Sequence, residues 1–253
     1  SKVEFLFLNE EDMIKAGVLD ADRAVDTIGE VITLLSEGDY LMGGRAHNDH
    51  GVQLIFPEKS DIPNFPLADS ADRRFMAMPA YLGGRFHMCG EKWYGSNGRN
   101  SHKGLPRSIL MATLNDVETG QPLAYMSANL LSAMRTGAMP GLTAMYLARK
   151  DSKVLTILGA GVIGRTSLMA IMAKFPDMEV LKIKGSSKTS HTAHELADFA
   201  RENYKSLKEI IICDTLEEAV RDADIIAEAV SVEPRKWPVI DPAWVKPGCT
   251  IIS

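Results

Sequence analysis

Residues 153–164, KVLTILGAGVIG, constrain the fold more than any other stretch. Val154-Leu155-Thr156-Ile157-Leu158 is a short, apolar, β-branched run of the kind that forms a strand buried on both faces. It passes directly into Gly159-Ala160-Gly161-Val162-Ile163-Gly164, and Leu168, Ile171 and Met172 then recur at helical spacing. Strand, G-x-G-x-x-G and helix together predict a dinucleotide site, with each glycine doing a separate job. One makes the tight turn, one admits the pyrophosphate to the backbone, and one lets helix and strand pack closely. The helix that follows offers unpaired N–H groups and the positive end of its dipole to the phosphate. Gly159, Gly161, Val162, Ile163 and Gly164 are therefore read as cofactor-binding.

The chain on either side of residue 128 follows two different grammars. Before it, Asn9 predicts the cap of a short helix over residues 10–16, with Asp12 at the third helical position as a partial capping box. Asp20 predicts the cap of a second helix, with Ala24, Ile28, Ile32 and Leu35 on one face and Gly38 just past its end. Strands are predicted at 52–56, 75–79, 88–94, 108–115 and 123–126. The proline- and aspartate-rich stretch 57–72 reads as loop, and 115–120 as a turn. Strands that follow one another without helices imply an antiparallel or mixed sheet. From residue 129 a long helix to about 149, which Pro140 is expected to bend, leads into strand–helix alternation: strands at 154–158, 180–184, 210–213, 225–229 and 250–252, with helices between them. The expected fold class is α/β: a mixed α+β substrate and dimerisation domain over 1–128, then a doubly wound, Rossmann-type parallel sheet over 129–253. The last strand arrives without the elements that would cover it, which points to further chain beyond Ser253.

Composition narrows the classes of partner. A net charge of −5 argues against nucleic acid, which needs a basic face. No apolar run approaches the length of a membrane span. Cys89, Cys213 and Cys249 are scattered and odd in number, giving neither a disulfide framework nor zinc spacing, so a reducing, cytoplasmic setting is expected. His47-Asn48-Asp49-His50 lacks a third ligand at metal-binding spacing, and no metal is assigned.

At the end of the second parallel strand, NAD binders place a carboxylate for the ribose hydroxyls. Here the chain reads Lys184-Gly185-Ser186-Ser187-Lys188. Hydroxyls and a lysine without a carboxylate suit a 2′-phosphate, so Ser186, Ser187 and Lys188 favour NADP over NAD; the plainer reading is a helix start. Three cations upstream also draw notice. Arg45 follows Gly43-Gly44, Lys92 lies inside the aromatic strand Glu91-Lys92-Trp93-Tyr94, and Arg135 opens Arg135-Thr136-Gly137-Ala138. A surface salt bridge is the commoner fate of any one of them. A lysine within a half-buried strand, however, needs a carboxylate partner or a catalytic use.

In order and spacing, Arg45, the EKWYGSN strand with Lys92, the DVETG turn at 116–120, RTGA at 135–138 and the GAGVIG loop resemble the ornithine cyclodeaminase/mu-crystallin family along essentially the whole chain. The resemblance implies that Arg45 and Arg135 hold a substrate α-carboxylate, that Lys92 assists the chemistry, and that Thr136 contacts the dinucleotide phosphate. It implies a homodimer formed through the first domain, and a small amino or imino acid as substrate. The chemistry agrees: arginine forks suit a carboxylate, and hydride transfer at Cα needs a group that exchanges a proton with nitrogen or water. Ornithine-specific members carry a glutamate on the strand before Met-Pro, whereas this chain reads Phe75-Met76-Ala77-Met78-Pro79. Two enzymatic readings follow, a cyclodeaminase and an imino-acid reductase or dehydrogenase, with a non-catalytic mu-crystallin-like binding protein as the alternative. The family's catalytic aspartate would lie beyond Ser253.

Overall fold

The computed structural model describes residues 2–70, 72–230 and 239–253. They form two units: Ser1–Val18 with Glu30–Ser132, and Leu19–Gly29 with Ala133–Ser253.

The first unit is built on one mixed sheet. Strand β1 (Leu6–Leu8) precedes helix α1 (Glu10–Lys15), and helix α2 (Ala21–Glu37) leads to β2 (Tyr40–Met42) and β3 (Val52–Ile55). Four longer strands follow: β4 (Arg74–Leu82), β5 (Met88–Ser96), β6 (Ser108–Asp116) and β7 (Pro122–Ser127). The sheet order is β1-β7-β6-β5-β4-β2, with β3 also on β4. Among the described residues of this sheet only β1 pairs in parallel, on β7. The predicted capping box is present: Asp12 N–H donates to Asn9 Oδ1 at 3.0 Å, and Asn9 N–H to Asp12 Oδ2 at 3.1 Å. Met13 from α1 covers Ala124 and Met126 of β7 in this unit's buried core.

The strands run longer than the sequence pattern suggests. β4 continues through Pro79 to Leu82 because its antiparallel register with β5 holds to the Leu82–Met88 pair. Pro79 falls where the outer edge of β4 passes from β3, last paired at Ala77, to β2, first paired at Ala80. Such a break in the ladder accommodates a residue without an N–H. β1 and β2, each three residues long, are not anticipated by the pattern at all.

The second unit is the doubly wound domain. β8 (Val154–Leu158), α4 (Val162–Lys174), β9 (Val180–Lys184), α5 (His191–Asn203), β10 (Glu209–Ile212), α6 (Leu216–Val220), β11 (Ile225–Glu228) and β12 (Thr250–Ile252) follow α3 (Asn129–Leu147). All five strands are parallel, in the order β10-β9-β8-β11-β12. Strand order therefore reverses beside β8, the topological switch point at which such sheets bind ligands. Leu155, Ile157, Leu181, Ile183 and Ile225 face Leu168, Ile171, Leu196 and Ala197 of α4 and α5 in one buried layer. Leu158, Ile226, Ala219 and Val220 form the other.

The division between the units differs from a cut at residue 128. It falls after Ser132, within α3, and the first half of α2 belongs to the second unit. The reason is packing: Val25, fully buried, joins Met134, Ala138, Leu142 and Ala170 in one apolar cluster. α3 itself is continuous through Pro140.

Candidate cofactor and substrate residues

The three glycines of the loop after β8 are distinguished by what surrounds them. Gly159 has φ +91°, and a Cβ there would stand 2.6 Å from the Ala229 carbonyl oxygen at the end of β11. Only glycine meets both demands. Gly164 lies so close to Gly159 that a Cβ would come 2.0 Å from its carbonyl oxygen, which is the close helix–strand packing expected of the third position. A Cβ at Gly161 would meet nothing within 4 Å. Its neighbours in the protein therefore do not require a glycine at this position; close approach of a ligand would. Gly161 is also the N-cap of α4 and, lacking a side chain, leaves the first N–H groups of the helix without a cap of its own. Val162 and Ile163 are the first two helical residues. The loop fits a dinucleotide pyrophosphate.

Gly161, Val162 and Arg165 share a cleft of about 210 Å³ with Thr192 and Glu195 of α5. The Arg165 guanidinium stacks 4.0 Å above the Phe199 ring. Gly159 N–H donates to the Lys184 carbonyl at 2.9 Å, joining the glycine loop to the end of β9. From there Ser186, Ser187 and Lys188 run exposed to the head of α5, with the Ser187 hydroxyl 3.2 Å from that of Thr189. Glu228, at the carboxyl end of β11, accepts the Val230 N–H at 2.8 Å and so braces its own turn.

Arg135 and Thr136 lie in the same unit as the glycine loop, and a feature not anticipated from the sequence positions them. A Cβ on Gly137 would stand 2.4 Å from the Thr166 carbonyl carbon, and one on Gly141 would stand 2.7 Å from the Ala170 Cβ. α3 thus presses its backbone onto α4 within the first turns after the glycine loop. The Gly137-x-x-x-Gly141 spacing is the signal that could have shown it, since residues four apart share a helix face. The Arg135 side chain keeps a route to solvent, while surrounding protein desolvates the guanidinium and lowers its pKa from the ordinary value. It remains a cation.

Arg45 and Lys92 belong to the first unit. Arg45 is exposed in the tight turn after β2, which is closed by Asp49 N–H donating to the Gly43 carbonyl at 3.0 Å and His47 N–H to the Gly44 carbonyl at 3.3 Å. Lys92 is half-buried at the middle of β5, paired with Met78 on one side and Ala112 on the other. Its ammonium lies 5.7 Å from the centroid of the Tyr94 ring. The turn carrying Arg45 reaches the same row of the sheet: Gly51, at its far end, packs against Met78. Among the described residues there is no group of three or more His, Cys, Asp or Glu placed to hold a metal, His47–His50 included. Nor, among them, is any helix long and apolar enough to cross a membrane.

Comparison with known proteins adds four relationships. The sequence profile of the ornithine cyclodeaminase/mu-crystallin family matches residues 20–253. N-((2S)-2-amino-2-carboxyethyl)-L-glutamate dehydrogenase of Staphylococcus aureus is 31% identical over 98% of this chain and 68% of its own length. Two solved structures superpose on 98% of the chain. An archaeal alanine dehydrogenase dimer with bound NAD does so with a TM-score of 0.76 at 29% identity, over 66% of its length. The Thermococcus litoralis Δ1-pyrroline-2-carboxylate reductase in complex with NADH and L-proline does so with a TM-score of 0.74 at 26% identity, over 68% of its length. The chain spans about two thirds of the length of these relatives.

Proposed function

The chain belongs to the ornithine cyclodeaminase/mu-crystallin family, and from that premise we propose that it transfers hydride at the Cα of a small amino or imino acid with a nicotinamide cofactor. The observation that carries this reading is the glycine loop. A side chain on its middle glycine would meet no protein atom within 4 Å among the described residues, and that glycine is the N-cap of α4 at the switch point of a parallel sheet. The bound nicotinamide would supply or take up the hydride. The chain's own residues have the other tasks. Gly159, Gly161, Val162, Ile163 and Gly164 seat the pyrophosphate, and Thr136 adds a hydroxyl to it. Arg45 and Arg135 hold the substrate carboxylate, and Lys92 exchanges a proton with the substrate nitrogen or with water. Retention of all three cations favours catalysis over simple ligand storage, since a binder needs no lysine beside its carboxylate site.

Reduction or oxidation without ring closure is favoured over cyclodeamination. On the face of β4 shared with Lys92, Met76 and Met78 stand, and β4 itself carries no carboxylate there for the distal amine of a diamino acid. Ser186, Ser187 and Lys188 favour NADP, although the solved relatives were captured with NAD or NADH. A homodimer formed through the first unit is also proposed. Supporting it, Leu54, Phe75, Trp93 and Ile109 remain exposed on the sheet face opposite Lys92. A cytoplasmic setting accords with free Cys89, Cys213 and Cys249.

A screen of amino acids and of oxo acids with ammonia, against NADP(H) and NAD(H), tests the proposal. Following nicotinamide absorbance and ammonia release together separates the two chemistries. Net change in absorbance is expected, and ammonia release without it would favour the cyclodeaminase.

A further inference from the structure

Three successive rows on the Lys92 face of the sheet run from Lys92 toward the Arg74 end of β4. Met78, Lys92 and Ala112 form one, Met76, Tyr94 and Leu110 the next, and Arg74, Ser96 and Ser108 the third. Four residues along a strand separate the Lys92 row from the Arg74 row, a backbone distance of about 13 Å. The side chains close much of that gap. The Tyr94 ring has the Lys92 ammonium 5.7 Å and the Arg74 guanidinium 5.8 Å from its centroid. Its hydroxyl is fixed at 2.9 Å from the Ser108 hydroxyl and donates to Asp72 Oδ2 at 3.4 Å.

Among the described residues, two guanidiniums share one carboxylate beside this ring. Asp72 pairs with Arg74 at 3.0 Å and, loosely, with Arg107 at 3.7 Å. One carboxylate thus serves two guanidiniums. The two arginine side chains keep 37% and 58% of their surface exposed, so their outer N–H groups can reach a solute. Arg74 Nε is buried and donates to nothing among the described residues, so the fold has not saturated this guanidinium. A structural ion pair would be expected to match its charges and satisfy its donors. A surplus of planar, forked cations suits a second carboxylate.

Building on the reading of Lys92 as the residue at the reacting carbon, we propose that Arg74 and Arg107 form a distal anion subsite. They would select amino or imino acids whose side chain carries a further acidic group. Tyr94, held by Ser108 and Asp72, positions Arg74 and separates the distal subsite from Lys92.

Two amino acids of equal chain length, L-2-aminoadipate and L-norleucine, differ in whether the sixth carbon is a carboxylate or a methyl. Calorimetric titration of each into the protein, with both NAD and NADP present, reads the subsite. The wild type is expected to bind L-2-aminoadipate at least roughly tenfold more tightly, the change expected for one charge-assisted contact. Arg107→Gln and Arg74→Gln should each shrink that ratio severalfold, and Arg74→Lys should retain part of it. Should Arg74→Gln fail to fold, the more exposed Arg107→Gln decides. Equal affinity for the two amino acids, no binding of either, or an unchanged ratio in a folded Arg107→Gln protein overturns the subsite. A persistent preference without turnover of any substrate supports the subsite and removes the hydride-transfer reading. Turnover without preference leaves that reading standing and removes the subsite.

Discussion

Gly137 of α3 rests against Thr166 of α4 so closely that a Cβ would stand 2.4 Å from the Thr166 carbonyl carbon. That contact fixes the turn of α3 that carries Arg135 and Thr136 against the first turns of α4. Gly137→Ala should force the helices apart at a cost of roughly 1–3 kcal/mol, the usual range for overpacking. Cofactor affinity should fall with it, because Thr136 moves with the helix. Thermal unfolding and dinucleotide titration measure the two effects. A variant with unchanged melting temperature would show that the helices separate without cost.

Gly161 and Gly164 should respond in opposite ways. A side chain at Gly161 enters open space, so Gly161→Val should fold, at a capping cost of about 1 kcal/mol, yet lose dinucleotide binding roughly tenfold or more. Gly164→Ala drives a methyl onto the Gly159 carbonyl and should destabilise the domain whether or not cofactor is present. Unchanged cofactor affinity in a folded Gly161→Val protein would remove the pyrophosphate assignment.

These contrasts bear on what a sequence can disclose. The β8–loop–α4 unit was legible because its signals are local: a buried run, three glycines at fixed offsets and a helical period. The capping box at Asn9 and Asp12 was legible for the same reason. β1 and β2 were not, because three exposed or half-buried residues carry no period and pair with strands far along the chain. The face of α2 was visible in its spacing, but the partner of that face was not. Val25 packs with Met134 and Leu142, more than a hundred residues later, and this moves the first half of α2 into the second unit. Lys92 could be singled out from its strand, whereas Arg74 could be associated with it only through the antiparallel register and the intervening Tyr94 ring.

The preference for NADP rests on Ser186, Ser187 and Lys188, all exposed. Lys188→Glu should weaken NADP binding by roughly tenfold while changing NAD binding little, because only the former carries the 2′-phosphate. The effect should shrink at high salt, as an exposed charge pair is screened. Parallel titrations of both cofactors in one buffer provide the check. Tighter binding of NAD by the wild type would reduce these residues to a helix start.

Asp224 makes acid stability a test of the parallel sheet. Burial pushes its pKa up, but hydrogen bonds from Lys246 and from the backbone of Lys153 and Val154, with the Lys246 charge, hold it below its ordinary 3.8. Lys246 Nζ lies 2.7 Å away, and Lys153 and Val154 N–H donate at 2.8 and 2.9 Å. A depressed carboxyl pKa contributes stability above the unfolded value and loses it as pH falls through the folded one. Asp224 should therefore support the fold fully at neutral pH and begin to lose that contribution only as pH falls below about 3.8, toward its lower folded value. Asp224→Ala strands a lysine and two backbone donors and should cost roughly 3–5 kcal/mol at pH 7, with the difference from wild type narrowing in acid. Denaturant unfolding at pH 7 and pH 3 checks this; an equal difference at both values would deny the carboxylate its role.

Lys92 offers the sharpest test of the chemistry, because its two possible roles predict different measurements. As the proton-exchanging group it acts in the transition state, so Lys92→Met should lower kcat far more than it weakens substrate binding. Met keeps most of the side-chain length and its apolar contacts with the sheet while removing the ammonium. As a structural residue, Lys92 contributes through its position beside the Tyr94 ring, a cation–π contact of about 0.5–1 kcal/mol where solvent has access. Loss of that contact alone would lower the melting temperature slightly and leave turnover near wild type. The distinction requires a true substrate, kcat and KM measured separately, and a melting curve on the same preparation. A large fall in kcat with KM nearly unchanged and the melting temperature preserved places Lys92 at the reacting atoms. A lowered melting temperature with kcat intact places it in the sheet, and the proton must then be carried by another group.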